Sequence, residues 1–322
     1  MKEIKVTKND SGQRIDRFLS KSFPLGQGQI CKLARKNCIK LNGKRCKPDT
    51  HIAENDIIKL FIPDEMLIPK AKSDPDDFTG VSNKIDIVYE DENILLVDKP
   101  VGMVVHEDES GDSDTLINRI KSYLYHKGEY HPENELSFAP ALCNRIDRNT
   151  CGIVIAAKNA ESLRILNQKI RDRELTKLYL CIACGKVTPD STTLTAYLEK
   201  NSDTNTVKIS DKKTKSNLTI KTKYKVIAYN GENSLLKVDL LTGRTHQIRA
   251  HLAYIGHALL GDGKYGNNKL NKKYGFKYQA LCSYELQFKF TTDAGCLSYL
   301  DGKCFKAKAP DFVKMFGGNI KL

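Results

Sequence analysis

The chain has 322 residues, 40% apolar and 28% charged, which is the balance of a folded globular protein and not of a disordered one. This length allows one large domain and a smaller appended one. The net charge is +13, which favours a polyanionic partner, although a basic surface can also serve solubility alone. No apolar run approaches the roughly 20 residues of a membrane-spanning helix. A disordered or membrane-spanning protein is excluded, and nucleic acid is the leading partner.

The cysteines indicate a reducing compartment. Ten are scattered along the chain, and nothing at the N-terminus resembles a signal segment, so we expect a cytoplasmic protein. Cys181 and Cys184 form a C-x-x-C, but the alternating segment LYLCIACGKV predicts a buried strand, and no second pair has zinc-finger spacing. We interpret both as core thiols, with metal or redox use as the alternative.

Residues 1–63 are predicted to form a small basic head. A first helix has one apolar face, made of Ile15, Phe18, Leu19 and Phe23. A second helical stretch, QICKLARKNC, ends in positive charges that can meet phosphates, at Lys32, Arg35 and Lys36. Asn42-Gly43 then separates two strand candidates and suits a tight hairpin. Residues 64–83, rich in Pro, Asp, Ser and Gly without periodicity, are predicted to be a linker.

Residues 84–322 are predicted to form a larger α+β body. Ile94 to Val97 and Gly152 to Ala157 are apolar strands, and Leu116, Ile120 and Leu124 recur at helical spacing. Further strands are expected around 178–183, 218–227 and 235–241. This order lacks the strict alternation of a doubly wound fold, so it predicts a mixed, mainly antiparallel sheet.

Asp147 lies in a polar loop, NRIDRNT, directly before a buried strand. A rigid strand beneath a polar loop is good scaffolding for a functional site. The alternative from this segment alone is an ordinary turn, in which the carboxylate of Asp147 accepts backbone hydrogen bonds and the neighbouring arginines are merely exposed.

A second polar segment, GRTHQIRAHLAYIGHALLGDGKYG, is predicted to contain a helix capped by Thr245 and ended by Gly256. Arg244 near the N-terminus and Arg249 one turn later are expected to project toward a shared pocket or RNA phosphates. The segment also contains three histidines, His246, His251 and His257. Neighbouring ones are five and six residues apart, so none form an i, i+4 metal pair. We predict no metal and interpret His246 as a structural or nucleic-acid contact.

Four of these segments together resemble the RluA-type bacterial pseudouridine synthases, over nearly the whole chain. The head resembles an S4 RNA-binding domain, and NILLVDKPVGMVVH resembles the family's opening strand and Lys-Pro-x-Gly turn. NRIDRNTCG is similar to the catalytic loop, and GRTHQIRAHLAYIGH to the second signature. The resemblance implies a pseudouridine synthase fold and an isomerase, an intramolecular transferase, that converts uridine to pseudouridine in structured RNA.

The resemblance also implies roles for individual residues. Asp147 is the catalytic aspartate, as nucleophile or as base, and Arg249 pairs with it, keeping it ionised and oriented. Tyr179 matches the tyrosine that packs on the target base, and Arg145 matches the arginine that fills the space left when that base is flipped out. Arg148, Arg244 and His246 are further expected RNA contacts. The isomerisation has no redox step and no external group donor, so it implies no cofactor.

Three places depart from the family pattern: Asn144 stands where His is usual, Cys151 where Ser is usual, and LCSYELQF where a Leu-His-Ala run is common. Asn144 and Cys151 lie in or beside the Asp147 loop. We expect both to support the loop and the activity to be kept. The expected substrate is large-subunit ribosomal RNA, with transfer RNA as the alternative, and the simplest oligomeric state is a monomer. The alternatives from other classes are a noncatalytic RNA-binding or ribosome-assembly protein and an RNA hydrolase. Asp147, Tyr179 and Arg249 argue against the first, and the missing metal carboxylates argue against the second.

Overall fold

The N-terminal part of the computed structural model is a four-stranded antiparallel sheet packed on two helices. The structure describes residues 1–68, 76–107, 111–201, 204, 206–317 and 320–322. The elements of this first part are β1 (Lys2–Lys5), α1 (Ile15–Ser22), α2 (Gln27–Arg35), β2 (Ile39–Leu41), β3 (Lys44–Arg45) and β4 (Ile57–Leu60). The strand order is β1-β4-β2-β3. Asn42 and Gly43 have φ angles of 51° and 77°, which confirms the predicted hairpin.

This head has its own apolar core and makes polar contacts with the rest of the chain. Its core includes Leu67, whereas Phe78 in the short helix α3 (Asp76–Thr79) is fully buried in the core of the body. Asn9 Nδ2 donates to Glu135 Oε1 over 2.6 Å, and Ser137 Oγ donates to Asp10 Oδ1 over 2.6 Å. Hydrogen bonds therefore hold the head against the body.

The body is built on one large twisted sheet with helices packed on it. Its first elements are β5 (Ile87–Glu90), β6 (Ile94–Lys99), α4 (Leu116–His126), β7 (Ala141–Leu142), β8 (Cys151–Ala157) and α5 (Ala160–Arg171). They are followed by β9 (Leu175–Cys184), β10 (Ser191–Asn201), β11 (Thr206–Ser210), β12 (Leu218–Tyr229), β13 (Asn233–Asp239), α6 (Gln247–Tyr254), α7 (Asn268–Lys273), β14 (Leu281–Phe288) and β15 (Cys304–Lys306). In the described ranges, no helix is long and apolar enough to cross a bilayer.

The strand order of this sheet is β11-β10-β12-β13-β9-β14-β8-β6-β5, with β15 beside β14 and β7 beside β8. Among the described strands β8 and β14 run parallel, and the other neighbours are antiparallel. The predicted α+β fold with a mixed, mainly antiparallel sheet is confirmed. It brings three segments far apart in sequence to the same region: the loop before β8, the centre of β9, and α6.

A close contact at Gly152 positions the start of β8. Gly152 has a φ of 105°, and a Cβ added there would lie 2.2 Å from the carbonyl oxygen of Ser283 in β14. Any larger residue would be strained in its backbone and would also push the two strands apart. Glycine at this position therefore allows the Asp147 loop to sit directly above the pairing of β8 with β14.

Candidate active site

The Asp147 loop is fixed in place by residues on both sides of the aspartate. Ile146 is buried, and the Thr150 backbone N–H donates to the carbonyl oxygen of Asp147 over 3.0 Å. Asn144 Oδ1 accepts from the backbone N–H of Ile155 over 2.8 Å. Asn144 therefore ties the loop to β8, which is the supporting contribution expected of it.

Lys99, at the end of β6, joins the Lys-Pro-x-Gly turn to this loop. Its ammonium group is fully buried and donates to three carbonyl oxygens, those of Pro100, Met103 and Arg148, over 2.8, 2.9 and 2.9 Å. Burial lowers the pKa of Lys99 to about 8. The sequence placed Lys99 in a turn motif but did not predict a role for it in the site. The fold shows that it fixes the backbone next to Asp147.

The guanidinium of Arg249 bridges two carboxylates. Nη1 donates to Asp147 Oδ2 over 2.8 Å, while Nε and Nη2 donate to Asp262 Oδ2 and Oδ1 over 2.7 and 3.0 Å. Burial raises the pKa of the fully enclosed Asp262, but hydrogen bonding to Arg249 and its charge outweigh burial, so this pKa lies below its usual range. The expected pairing with Asp147 is present. Of the two expected directions for Arg249, a shared pocket or RNA phosphates, the structure shows the pocket, because its hydrogen bonds go to two carboxylates.

The two oxygens of the Asp147 carboxylate differ in their surroundings. Oδ2 accepts from Arg249, whereas Oδ1 has no hydrogen-bond partner within the described part of the chain. The side chain is 28% exposed. A carboxylate with one oxygen held and the other open can act on a bound molecule as nucleophile or as base.

His246 and Tyr265 complete the surroundings of Asp147. The Tyr265 hydroxyl lies 2.9 Å from the backbone N of Val207, which donates to it, and 2.9 Å from Nδ1 of His246. The Tyr265 hydroxyl therefore links strand β11 to the imidazole of His246. Nε2 lies 3.8 Å from Asp147 Oδ2, and burial lowers the pKa of His246. His246 thus belongs to the surroundings of the carboxylate. Tyr265, like Asp262, was missed, although both lie in the quoted segment GDGKYG.

The start of α6 differs from the prediction. The N-cap is His246, with a φ of 52° and no side-chain cap, so the expected cap at Thr245 is wrong. Gln247 Oε1 instead accepts from the backbone N–H of Arg244 over 3.2 Å and from the hydroxyl of Thr242 over 2.8 Å. This side chain folds the preceding turn and leaves the hydroxyl of Thr245 out of the capping position. Gly256, with a φ of 87°, follows the helix as predicted.

Tyr179 lies at the centre of β9, opposite Val238 and Ser283. Its side chain is in the same apolar cluster as Ile146 and is 6% exposed. Burial raises its pKa to about 12, and the charge of Asp147 acts in the same direction. The phenol therefore stays protonated at neutral pH, and a small part of its surface borders the site.

The candidate RNA-contacting cations are on the surface. Arg145, Arg148 and Arg244 are exposed on the loops around Asp147, and the Nε of Arg148 donates to the carbonyl oxygen of Gly102 over 3.0 Å. The cations predicted in the head are also exposed, on α2 and just after it, at Lys32, Arg35 and Lys36. The first three lie on the Asp147 loop or directly before α6, and the other three belong to the head.

The remaining histidines and the C-x-x-C have structural surroundings. The Nδ1 of His251 lies 2.9 Å from Thr222 Oγ1, and that of His257 lies 3.0 Å from the carbonyl oxygen of Cys184. Cys181 is fully buried in the cluster of Tyr179, whereas Cys184 packs against a different cluster. The two thiols of the C-x-x-C therefore lie on different faces of β9.

The buried imidazole of His251 makes stability depend on pH. Burial lowers its pKa to about 4, so between about pH 6.5 and 4 the unfolded chain binds a proton that the folded chain does not. Stability therefore falls as the pH drops through this window. Between pH 7 and 5 we expect the free energy of unfolding to fall by about 2 kcal/mol more in the parent than in His251→Gln, measured by urea titration. Thr222→Val keeps the imidazole and should behave as the parent does. If the free energy of unfolding falls equally in the parent and in His251→Gln, the pH dependence does not come from His251.

Comparison with known proteins identifies the fold of the body. The family model described as RNA pseudouridylate synthase matches residues 93–254, which include Asp147, Tyr179 and Arg249. The human protein RNA pseudouridylate synthase domain containing 1 has a similar structure, with a TM-score of 0.55 at 21% identity over 71% of this chain and 84% of that one. The body therefore has the pseudouridine synthase fold.

Relatives in sequence match most of the chain. An uncharacterised RNA pseudouridine synthase of Mycoplasma genitalium is 35% identical over 88% of this chain and 88% of its own length. The ribosomal large subunit pseudouridine synthase D of Borreliella burgdorferi is 33% identical over 81% of this chain and 78% of its own. The ribosomal large subunit pseudouridine synthase C of Vibrio vulnificus is 30% identical over 83% of this chain and 81% of its own length. The chain belongs to the RluA-type family of RNA pseudouridine synthases, which are isomerases acting on RNA.

Proposed function

We propose that this chain isomerises uridine to pseudouridine in large-subunit ribosomal RNA, with Asp147 as the reacting carboxylate. The observation that carries the proposal is the carboxylate of Asp147, held at one oxygen by Arg249 and open at the other. The RNA class is suggested by the relatives from Borreliella burgdorferi and Vibrio vulnificus, which are named as large-subunit enzymes.

The chemistry breaks the bond between N1 and C1′ of the ribose and forms a new bond between C5 and C1′. The proton on C5 is lost and N1 gains one, so the reaction is an isomerisation and needs no external donor or cofactor. The uracil must leave the base stack first, and Arg145, exposed on the Asp147 loop, can occupy the space it vacates. Asp147 then acts on the extruded nucleotide as nucleophile on C1′ or as base.

Tyr179 and Arg249 support this step in different ways. Tyr179 offers a small apolar and hydroxyl surface next to the carboxylate, against which the freed uracil can rest. Arg249 holds the carboxylate in its orientation, because its guanidinium is itself fixed by the buried Asp262. Arg148 and Arg244 contact the RNA backbone near the cleft. The head, through Lys32, Arg35 and Lys36, contacts the same RNA in the manner of an S4 domain.

The test is pseudouridine formation by the purified protein on unmodified RNA. The protein should create new carbodiimide-dependent reverse-transcription stops in a large-subunit ribosomal RNA transcript, and none in a transfer RNA mixture treated in parallel. Formation in transfer RNA alone would overturn the substrate assignment but keep the activity. No new pseudouridine in either RNA, from protein that binds both, would overturn the proposed activity.

A further inference from the structure

The solvent face of strands β10, β12 and β13 carries a row of lysines that the candidate active site does not use. Lys221, Lys223 and Lys225 alternate along β12 and are all exposed. Alternate residues of a strand are about 6.8 Å apart, so the row is about 14 Å long. Phosphates recur along a nucleic-acid backbone at a spacing well below the length of this row, so the row can meet several of them.

This row faces away from the Asp147 cleft. Thr222, between the first two lysines, points to the other face of the sheet, where its hydroxyl contacts Gln247 and His251 of α6 at 3.0 and 2.9 Å. Tyr224 is buried on that same side in the cluster that contains Tyr179. Because successive side chains of a strand point to opposite faces, the lysines lie on the side opposite the cleft.

Strand β10 places further hydrogen-bond donors beside the lysine row. On β10, exposed hydroxyl side chains lie directly across from it: Ser191 opposite Lys225, Thr193 opposite Lys223 and Thr195 opposite Lys221. Lysine ammonium groups and short hydroxyl side chains are donors that commonly contact phosphate oxygens. The face is therefore rich in donors over two strands.

The charges on this face are poorly balanced by the protein itself. None of the three β12 ammonium groups forms an ion pair with a residue that the structure describes. Lys225 lies directly opposite Lys237 of β13, a like-charge pairing that destabilises a sheet, and Lys237 is paired with Glu285. Asp239, opposite Lys223, is the acidic residue in register with the row on β13. A polyanion would relieve this repulsion.

We propose that the lysine row Lys221, Lys223 and Lys225 is a second RNA-binding surface, which holds the phosphate backbone of the substrate RNA outside the cleft. The inference rests on the proposed function for the identity of the polyanion. It implies that a large structured RNA wraps from the Asp147 loop around the β11 edge of the sheet, and that affinity depends on both faces.

The experiment compares two variants that lose equal charge. One carries Lys221→Gln, Lys223→Gln and Lys225→Gln, and the control carries Lys269→Gln, Lys272→Gln and Lys277→Gln, which are exposed on and after α7. Affinity for a large-subunit ribosomal RNA transcript is measured as a function of salt. We expect the row variant to bind at least about 10-fold more weakly, with a slope of log K against log salt reduced by about 2 to 3, while the control variant keeps the parental slope.

A second measurement uses the unmodified protein and does not depend on variant folding. Amine acylation followed by mass spectrometry should show the three β12 lysines protected when the transcript is added, and the three α7-region lysines still reactive. Equal slopes for the row and control variants, or unchanged reactivity of the row, would overturn the proposal. Both readouts measure binding, so a parent protein that binds RNA but makes no pseudouridine would overturn the proposed function and leave this inference intact.

Discussion

The Asp147→Asn variant should lose pseudouridine formation by at least about 10³-fold, because an amide can neither attack the sugar nor accept the proton. The amide has the same shape, and its oxygen can still accept from Arg249, so the loop should keep its position. We therefore expect the free energy of unfolding and the affinity for RNA to change little. The rate is measured under single-turnover conditions, so that slow product release does not mask the loss.

The matched control for this variant is Asp172→Asn. Asp172 is an exposed aspartate after α5, whose carboxylate accepts from Gln168 over 2.6 Å, well separated in the chain from the Asp147 loop. The Asp172→Asn variant should form pseudouridine at the parental rate. Parental turnover by Asp147→Asn would show that the reacting group is elsewhere, and an equal loss in both variants would show that the effect does not come from this carboxylate.

Arg249→Gln should lower the free energy of unfolding by about 3–5 kcal/mol, because it leaves the fully buried carboxylate of Asp262 without its ionic partner. Activity should fall with it, since Asp147 loses the donor that orients it. Arg249→Lys keeps a positive charge but has no planar fork, so one ammonium cannot replace the three directed contacts. We expect that variant to be folded and to turn over about 10²-fold more slowly.

The control for the arginine variants is an ion pair of the same type on the surface. Arg119 is paired with Asp114, whose side chain is 49% exposed, and Arg119→Gln should cost no more than about 1 kcal/mol, measured by urea unfolding. Similar losses of unfolding free energy in Arg249→Gln and Arg119→Gln would contradict the interpretation that Arg249 stabilises the buried carboxylate of Asp262. If folded Arg249→Lys forms pseudouridine at the parental rate, the planar guanidinium of Arg249 is not needed to position Asp147.

The sequence predicted helices, strands and turns correctly where local periodicity and turn-forming residues determine them. The strand at Ile94 to Val97, the helix through Leu116 and Leu124, and the Asn42-Gly43 hairpin are present as predicted. The cap at Thr245 was predicted wrongly, because the side chain of Gln247 makes the hydrogen bonds of that turn and His246 adopts a left-handed conformation. That outcome depends on competition between side chains, which spacing does not reveal.

The sequence alone predicted, through its resemblance to a known family, that Asp147, Tyr179 and Arg249 belong to one site. Tertiary structure decided what surrounds them. Lys99 donates to the carbonyl oxygen of Arg148 in the loop and to two carbonyl oxygens of its own turn. Asp262 binds the Nε and Nη2 side of the Arg249 guanidinium, while Nη1 binds Asp147. Such contacts join residues distant in sequence through strand pairing, including the approach of β8 to β14 at Gly152. A local pattern shows which residue types are present, but their distances and burial arise only when the sheet has formed.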